Sequence, residues 1–256
     1  MRNPYKIILQ AKGLSYRPIL GESSAKTVKG EKIGYLTGIV YLVPDDMLCP
    51  LARLAGCMDP CLRSAGRGAF DSVQAARAAK TAFFRENREA FMLSMSADVW
   101  SLARKARKLG MNPLVRPNGT SDIPFENIVV HDGKTIFQLF PDVQFYDYTK
   151  HPSRNLDGKT AEKNGKKNYD LTYSFSAVTP KPISLKGLTN PHNSRTAVVF
   201  MRREEIPSTF RGWPVVDGDD TDVRHIEPTD VVVALYAKGR AKHDTSGFVQ
   251  TKGVHY

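Results

Sequence analysis

Hydrophobic residues occur along the chain in short runs that are separated by helical or polar stretches. Residues 33–43 are nearly continuously apolar, and residues 197–201 and 231–237 form shorter runs of the same kind. A continuous apolar run of this length is typical of a strand that is buried on both faces. Such strands, separated by helical or loop connections, favour a parallel β/α architecture.

Further strands are predicted where apolar runs are short or where polar and apolar residues alternate. Residues 169–176 alternate, with Leu171, Tyr173 and Phe175 on one side and hydroxyl side chains on the other. Segment 134–140 is compatible with a strand or a helix. The remaining candidate strands are residues 5–10, 91–95, 112–116 and 143–149. About eight candidate strands from residue 38 onward predict an α/β fold, namely a (β/α) barrel-like or partial TIM-type barrel in a single domain.

Two helices are predicted between residues 71 and 110. From Asp71, apolar residues recur at three- and four-residue spacing, which places them on one helical face. Ser96 is a suitable N-cap for a second helix, and Gly110 is expected to end it. Both apolar stripes are interpreted as core.

The chain is expected to divide into three parts. Residues 1–32 read as a short strand followed by a mobile loop arm, residues 33–240 as the barrel-like domain, and residues 241–256 as a tail. No run approaches the roughly 20 apolar residues of a membrane span, and no signal peptide is evident, so a cytoplasmic protein without membrane contact is expected.

The chain contains 3 cysteines, and all lie within a loop that follows the first apolar run and precedes the helix from Asp71. Cys49, Cys57 and Cys61 have the spacing C-x7-C-x3-C. We call residues 49–68 the cysteine loop. An odd number of cysteines in a cytosolic chain argues against a disulfide framework and favours a metal, a catalytic thiol or buried thiols.

Thiolates are soft ligands that suit iron–sulfur clusters and zinc. Three of them predict a [4Fe-4S] cluster whose fourth iron is open or has a non-cysteine ligand; a [3Fe-4S] cluster is an alternative. Zinc usually recruits a histidine at short spacing, and the nearest, His131, lies about 70 residues further on. Metal-free cysteines packed as core are the third interpretation. Arg67 would offset the negative charge of a thiolate-bound cluster.

Polar residues follow several predicted strands at their carboxyl ends, where β/α folds gather function. The group from Arg116 to Asp122 suits a bound anion or the open side of a cluster, although an Asx-type turn at Asn118 explains part of it. The candidate catalytic residues are Arg116, Asp122, Asp147 and Lys150, and the candidate cofactor-binding residues are Arg67, Asn118, Ser121 and Ser174. No phosphate loop, G-x-S-x-G elbow or H-E-x-x-H motif is present.

The formal net charge is +11, from 37 Lys and Arg against 26 Asp and Glu. Residues 63–116 hold 11 basic and 4 acidic residues, which gives +7 for this stretch. A basic surface favours phosphate-rich partners. The alternative is a solvated helix face, since no recognised nucleic-acid module accompanies the charge.

Three segments carry a resemblance to known proteins: Cys49-Pro with Cys57, Cys61-Leu and Gly66-Arg67; Arg116-Pro-Asn-Gly-Thr-Ser-Asp122-Ile-Pro; and Phe145-Tyr-Asp-Tyr-Thr-Lys150. In these segments the chain resembles a family of uncharacterised proteins encoded by tailed bacteriophages, over most of residues 33–240. This resemblance implies that the protein is encoded by a phage and is located in the cytoplasm of the host cell.

The layout also resembles, distantly, that of radical SAM enzymes, which have a β/α barrel with a three-cysteine loop after its first strand. Those enzymes use C-x3-C-x2-C with an aromatic residue before the last cysteine, whereas this chain has Pro60 there. We therefore use this resemblance only as an analogy for the overall architecture.

Two functions are carried forward. The first is a phage-encoded iron–sulfur protein, which could be a redox enzyme, with a small molecule or anion at the open iron. The second is a metal-stabilised accessory protein that binds nucleic acid or a host protein through the basic helices at 77–108.

Overall fold

The computed structural model describes residues 2–22, 25–152, 154–178, 195–254 and 256, with only the backbone of residues 25–26. Its helices and strands, numbered in chain order, are α1 (Pro4–Ala11), β1 (Leu20–Gly21), α2 (Ala25–Glu31), β2 (Tyr35–Val40), α3 (Asp71–Glu86), α4 (Arg88–Lys108), β3 (Asn112–Arg116), β4 (Val129–His131), β5 (Lys134–Thr135), α5 (Ile136–Leu139), β6 (Gln144–Thr149), β7 (Glu162–Lys163), β8 (Lys166–Lys167), β9 (Tyr169–Ser174), β10 (Thr196–Phe200), β11 (Thr209–Phe210), β12 (Trp213–Asp217), β13 (Val232–Tyr236) and β14 (Val249–Gln250).

The main sheet has the strand order β1-β2-β3-β6-β9-β10-β13-β12-β11, and β14 also pairs with β10. From β2 to β13 the neighbours are parallel and follow one another in chain order, whereas β1 and β11 are antiparallel additions at the two edges. The α/β class is therefore confirmed. The described strands do not close into a barrel, because β1 and β11 lie at opposite ends of the path, and the barrel-like part of the prediction is not confirmed.

The two faces of the sheet have different surroundings. Paired residues of neighbouring parallel strands lie on the same face. Phe145 of β6 pairs with Tyr169 of β9, and both belong to the main hydrophobic core with residues of α1, α3 and α4. Tyr146 lies on the opposite face, where it packs with Leu114 and Val223. Helices α1, α3 and α4 thus pack on one face, whereas the opposite face carries α2 beside β2 and a cavity.

The first segment of the chain forms a helix, so the predicted strand at residues 5–10 is wrong. The side chain of Asn3 accepts hydrogen bonds from the backbone N–H groups of Tyr5 and Lys6, and Pro4 occupies the first helical position. These are signals of a helix start. The helix α1 packs against α4 and buries Tyr5 and Leu9, so this segment belongs to the core of the fold.

Residues 91–95, predicted as a brief strand, belong to α4, which begins at Arg88 and is capped by the side chain of Asn87. Residues 90–97 are all buried. A helix that is buried on all sides loses its amphipathic period, and its sequence then resembles a buried strand. Asp98 of α4 accepts hydrogen bonds from the backbone N–H groups of Ile19 and Leu20, which fixes the first strand beside the helix.

The other predicted strands and the helix from Asp71 are confirmed within a few residues, and segment 134–140 contains both a short strand and a helical turn. Residues 151–168, between β6 and β9, contain the buried side chains of Arg154, Leu156 and Asn168. The predicted tail contributes β14, which pairs with β10.

Candidate functional site

A cavity of about 240 Å³ lies at the carboxyl ends of the parallel strands. Its wall contains the ends of β3, β6, β9 and β13, the cysteine loop and the segment before β14. The strands β10 and β13 contribute apolar side chains to this wall, namely Ala197, Val199 and Leu235. The cavity thus occupies the position where parallel α/β proteins place their active sites.

All three cysteines line this cavity. The cysteine loop contains turns and two short 3-10 turns, and it is anchored by the buried side chains of Ala52 and Ala55. The backbone N–H of Cys49 donates to the carbonyl of Asp45 at 2.8 Å. The Sγ of Cys49 donates to the carbonyl of Thr120 at 3.8 Å, which joins the cysteine loop to the loop after β3.

The thiols of Cys49 and Cys57 are held in their neutral form. Burial raises the pKa of the Cys49 thiol, and the negative charge of the nearby Asp122 carboxylate raises it further. Burial also raises the pKa of the Cys57 thiol, which the positive charge of Lys150 partly offsets. Because metal ligands must be thiolates, a metal or cluster bound here would displace these protons. Among the described residues, no three His, Cys, Asp or Glu side chains are grouped so that they could hold one metal ion.

The loop after β3 is held by a buried carboxylate beneath it. Asp147 accepts hydrogen bonds from the backbone and side-chain N–H groups of Asn118, at 2.8 and 2.9 Å, and from the hydroxyl of Tyr169. Burial raises the pKa of Asp147 to about 6, against the opposing effects of Arg116 and these donors. The amide oxygen of Asn118 accepts hydrogen bonds from Ser121 and from the backbone of Ile123. Asn118 therefore shapes the loop.

Asp122 connects this loop to the end of β6. Its Oδ2 accepts a hydrogen bond from the backbone N–H of Lys150 at 2.8 Å, and its Oδ1 accepts one from the guanidinium of Arg154 at 3.3 Å. Arg154 also binds both carboxylate oxygens of the buried Glu126. Charge-assisted hydrogen bonds of this kind keep the two strand ends in a fixed arrangement.

Gly119 allows this loop to approach the end of β2 closely. A Cβ at this position would lie 2.6 Å from the carbonyl oxygen of Val40 and 2.7 Å from side-chain atoms of Ile39 and Tyr41. No side chain fits there without displacing the backbone.

Replacing Gly119 with alanine is expected to lower the free energy of unfolding by about 1–3 kcal/mol, because the added methyl group overpacks the contact. Thermal unfolding would measure the change as a fall in Tm. Gly21→Ala is the matched control, because the atom nearest to its Cβ is at the ordinary distance of 3.6 Å. Equal Tm values for the two variants would contradict the close approach.

Arg116 brings a buried guanidinium to the cavity wall. Its Nε donates to the carbonyl of Asn118 at 3.3 Å and lies 3.9 Å from a carboxylate oxygen of Asp147. A terminal nitrogen of the guanidinium lies 3.7 Å from a carboxylate oxygen of Asp222. The guanidinium lies over the ring of Tyr148, 4.7 Å from its centroid. The hydroxyl of Tyr148 is buried and has no hydrogen-bond partner within the part of the chain that the structure describes.

Lys150 places a buried amine on the same wall. Its Nζ donates to the carbonyls of Ser174 and Phe175, at 2.8 and 3.0 Å, and lies 4.3 Å from the ring centroid of Phe248. Burial lowers the pKa of Lys150 to about 8, and the neighbouring Cys57 and Asp122 partly counteract this effect.

The cavity brings together nine of the eleven residues that the sequence proposed for the site, which are Cys49, Cys57, Cys61, Arg116, Asn118, Ser121, Asp122, Lys150 and Ser174. Asp147 is buried on the helix-covered face, where it supports Asn118. Arg67 is exposed in the turn Gly66–Ala69. These two therefore lie outside the cavity wall.

Sequence reasoning missed several residues of the wall. Asp219 and Asp222 lie in an acidic run that precedes β13, and Phe248 lies in the predicted tail. For Tyr148, the only indication in the sequence that it lines the wall is its position in the strand β6. The alternation of β6 could have found it, because Tyr148 and Asp147 must face opposite sides.

Fold and cavity together define an α/β protein with a mostly parallel sheet and a site lined by three thiols, two amines and a guanidinium at its carboxyl edge. A family model described as Gene product 88 matches residues 18–252, and the chain belongs to this family. The match supports the phage part of the sequence resemblance. No curated protein and no solved structure matches the chain. Within the described residues, every helix is too short or too polar to cross a membrane.

Proposed function

We propose that the chain is a phage-encoded iron–sulfur protein of the host cytoplasm, with a [4Fe-4S] cluster held by Cys49, Cys57 and Cys61. The observation that carries this proposal is that the chain's only cysteines line one cavity at the carboxyl edge of a parallel sheet. Three thiolates leave one iron of such a cluster open to another ligand. A [3Fe-4S] cluster and a zinc ion are the alternatives for the same thiols.

The charges around the cavity suit a cluster with thiolate ligands. Lys150 and Arg116 line the wall, and the positive charge of Lys150 acts on Cys57. Cations near a thiolate-bound cluster offset its negative charge and raise its reduction potential. The cysteine loop consists of turns, so the proposal includes a closing movement of this loop that brings the three sulfur atoms onto one cluster.

The open side of the cluster would face the remaining wall of the cavity. Bound there, the cluster would supply electron transfer or a Lewis-acidic iron for a small molecule or anion. Arg116 would orient an anionic group, and the unpartnered hydroxyl of Tyr148 would donate to or accept from the same molecule. The apolar side chains of Val199 and Leu235 would exclude water from its carbon skeleton.

The order of the strands gives this proposal an architectural analogy. Six parallel strands follow one another in chain order, and the cysteine loop comes after the first of them. Open β/α barrels have this order, including those of radical SAM enzymes, so S-adenosylmethionine is one ligand to test at the open iron. The cysteine spacing differs from that of those enzymes, and the analogy rests on layout alone.

The nucleic-acid alternative draws less support from the contacts of the basic helices. Lys105 forms an ion pair with Glu22, the Nζ of Lys80 donates to the carbonyl of Ile19, and Arg77 is buried. These side chains act within the fold. The alternative would require a binding constant that falls steeply with salt, and a salt-independent constant would exclude it.

The chain purified without oxygen, or reconstituted with iron and sulfide, is expected to be brown with broad absorption at roughly 400 nm. Iron and sulfide analysis is expected to give about four of each per chain, and electron paramagnetic resonance of the reduced protein would identify the cluster type. Stoichiometric zinc in a colourless protein would support the zinc alternative. A colourless, metal-free protein after both procedures would overturn the proposal.

A further inference from the structure

Lys150 has the surroundings of a nucleophilic amine. It is 8% exposed, lies at the carboxyl end of the parallel strand β6, and belongs to the cavity wall. Its Nζ donates to two neutral backbone carbonyls, and within the described residues no carboxylate lies within 4.0 Å of it. A lysine in such a desolvated position loses part of its preference for the charged form.

Lys238 provides a comparison within the same cavity. It also lines the wall, but its Nζ forms an ion pair with Asp219. An ion pair stabilises the ammonium form, which has no lone pair and cannot attack a carbonyl carbon. The two lysines therefore line the same cavity but differ in their hydrogen-bond acceptors. Lys150 donates to neutral carbonyls, and Lys238 donates to a carboxylate.

The geometry points to Lys150 as the residue that captures a carbonyl compound, an aldehyde or ketone, as a covalent imine in this cavity. The amine first gives up a proton to solvent. Its lone pair then forms a bond to the carbonyl carbon, and the carbonyl oxygen leaves as water when the C=N bond forms. The reaction needs no oxidant or reductant, and it does not depend on the proposed cluster.

The wall beside Lys150 suits the rest of such a molecule. The ring of Phe248 lies against the amine, and Val199 and Leu235 line the same cavity. A cavity of about 240 Å³ limits the compound to a small molecule. Burial of its apolar part would hold the carbonyl carbon near the amine, which raises the effective concentration of the reactants. The lowered pKa of Lys150, to about 8, agrees with this assignment.

The test uses the full chain in its metal-free form with glyoxylate and, separately, propionaldehyde. Cyanoborohydride supplies the hydride that reduces an imine to a stable secondary amine, and peptide mass spectrometry locates it. Lys150 is expected to be modified about tenfold faster than Lys238 at neutral pH, because its amine donates to neutral carbonyls whereas that of Lys238 is held in an ion pair with Asp219. Modification of Lys150 that is no faster than that of Lys238, with either carbonyl compound, would overturn the inference.

A variant separates capture at Lys150 from general labelling. Lys150→Arg keeps a cation at the wall and is expected to lose the fast modification, while Lys238 and the surface lysines keep their rates. The wild-type comparison of Lys150 with Lys238 decides the question even if this variant fails to fold. The chromophore is measured separately, so failure of the cluster proposal and failure of this inference give different results.

Discussion

Replacing Cys57 with serine is expected to abolish the absorption of the anaerobically prepared protein at roughly 400 nm and to reduce bound iron by about tenfold or more. Serine is a hard oxygen ligand that stays protonated at neutral pH, so only two thiolates would remain for the cluster. The same loss is expected for Cys49→Ser and Cys61→Ser, because all three thiols line one cavity. Visible absorption and iron analysis after identical reconstitution would measure the effect.

Leu54→Ser is the matched control for the cysteine variants. Leu54 lies in the same loop and is 51% exposed, so the substitution adds an identical hydroxyl side chain without removing a thiol. It is expected to keep the full chromophore. Colour that survives in Cys57→Ser would show that this thiol is not a ligand, and loss of colour in the control would mean that the loop tolerates no substitution.

Replacing Arg154 with methionine is expected to lower the free energy of unfolding by about 3–5 kcal/mol. Arg154 and Glu126 are 7% and 2% exposed, and the guanidinium also reaches Asp122 and the hydroxyl of Tyr169. Without its partner, the carboxylate of Glu126 would remain buried and uncompensated, which is the costly outcome for a buried ion pair. Thermal unfolding of a chain of this size would register a fall in Tm of roughly 6–20 °C.

A double variant and a control variant show whether the effect of Arg154→Met comes from the buried ion pair. Glu126→Leu combined with Arg154→Met removes both charges and is expected to recover at least about half of the lost stability. Lys163→Met breaks the exposed ion pair with Asp142 and is expected to change stability by less than about 1 kcal/mol. A fall in Tm as small for Arg154→Met as for Lys163→Met would show that the buried network contributes little.

The central strands were predictable because buried strand faces leave a direct trace in the sequence, either as a continuous apolar run or as an alternation of apolar and polar residues. The apolar run at 33–43 and the alternation at 169–176 both mark strands of the sheet. The start of α4 was not predictable in the same way, since complete burial gives a helix and a strand the same composition. The N-terminal helix could have been recognised from Asn3 and Pro4, which mark a helix start.

The candidate site was partly predictable because parallel strands place their carboxyl ends at one edge. That rule alone brings Cys49, Arg116 and Lys150 towards each other. It does not reveal which of two adjacent side chains faces the cavity, and Asp147 faces the helices instead. Asp222 and Phe248 reach the wall from segments far along the chain, and their positions depend on long-range packing that leaves no local pattern in the sequence.

The pairing of β14 with β10 has a consequence for the biosynthesis of the protein. Val249 pairs with Val199, and the neighbouring Phe248 contributes to the cavity wall beside Lys150. The wall is therefore incomplete while a nascent chain is still shorter than about 250 residues. Any prosthetic group of this cavity would have to be inserted after the ribosome has passed Gln250, into a protein whose helix-covered core has already been synthesised.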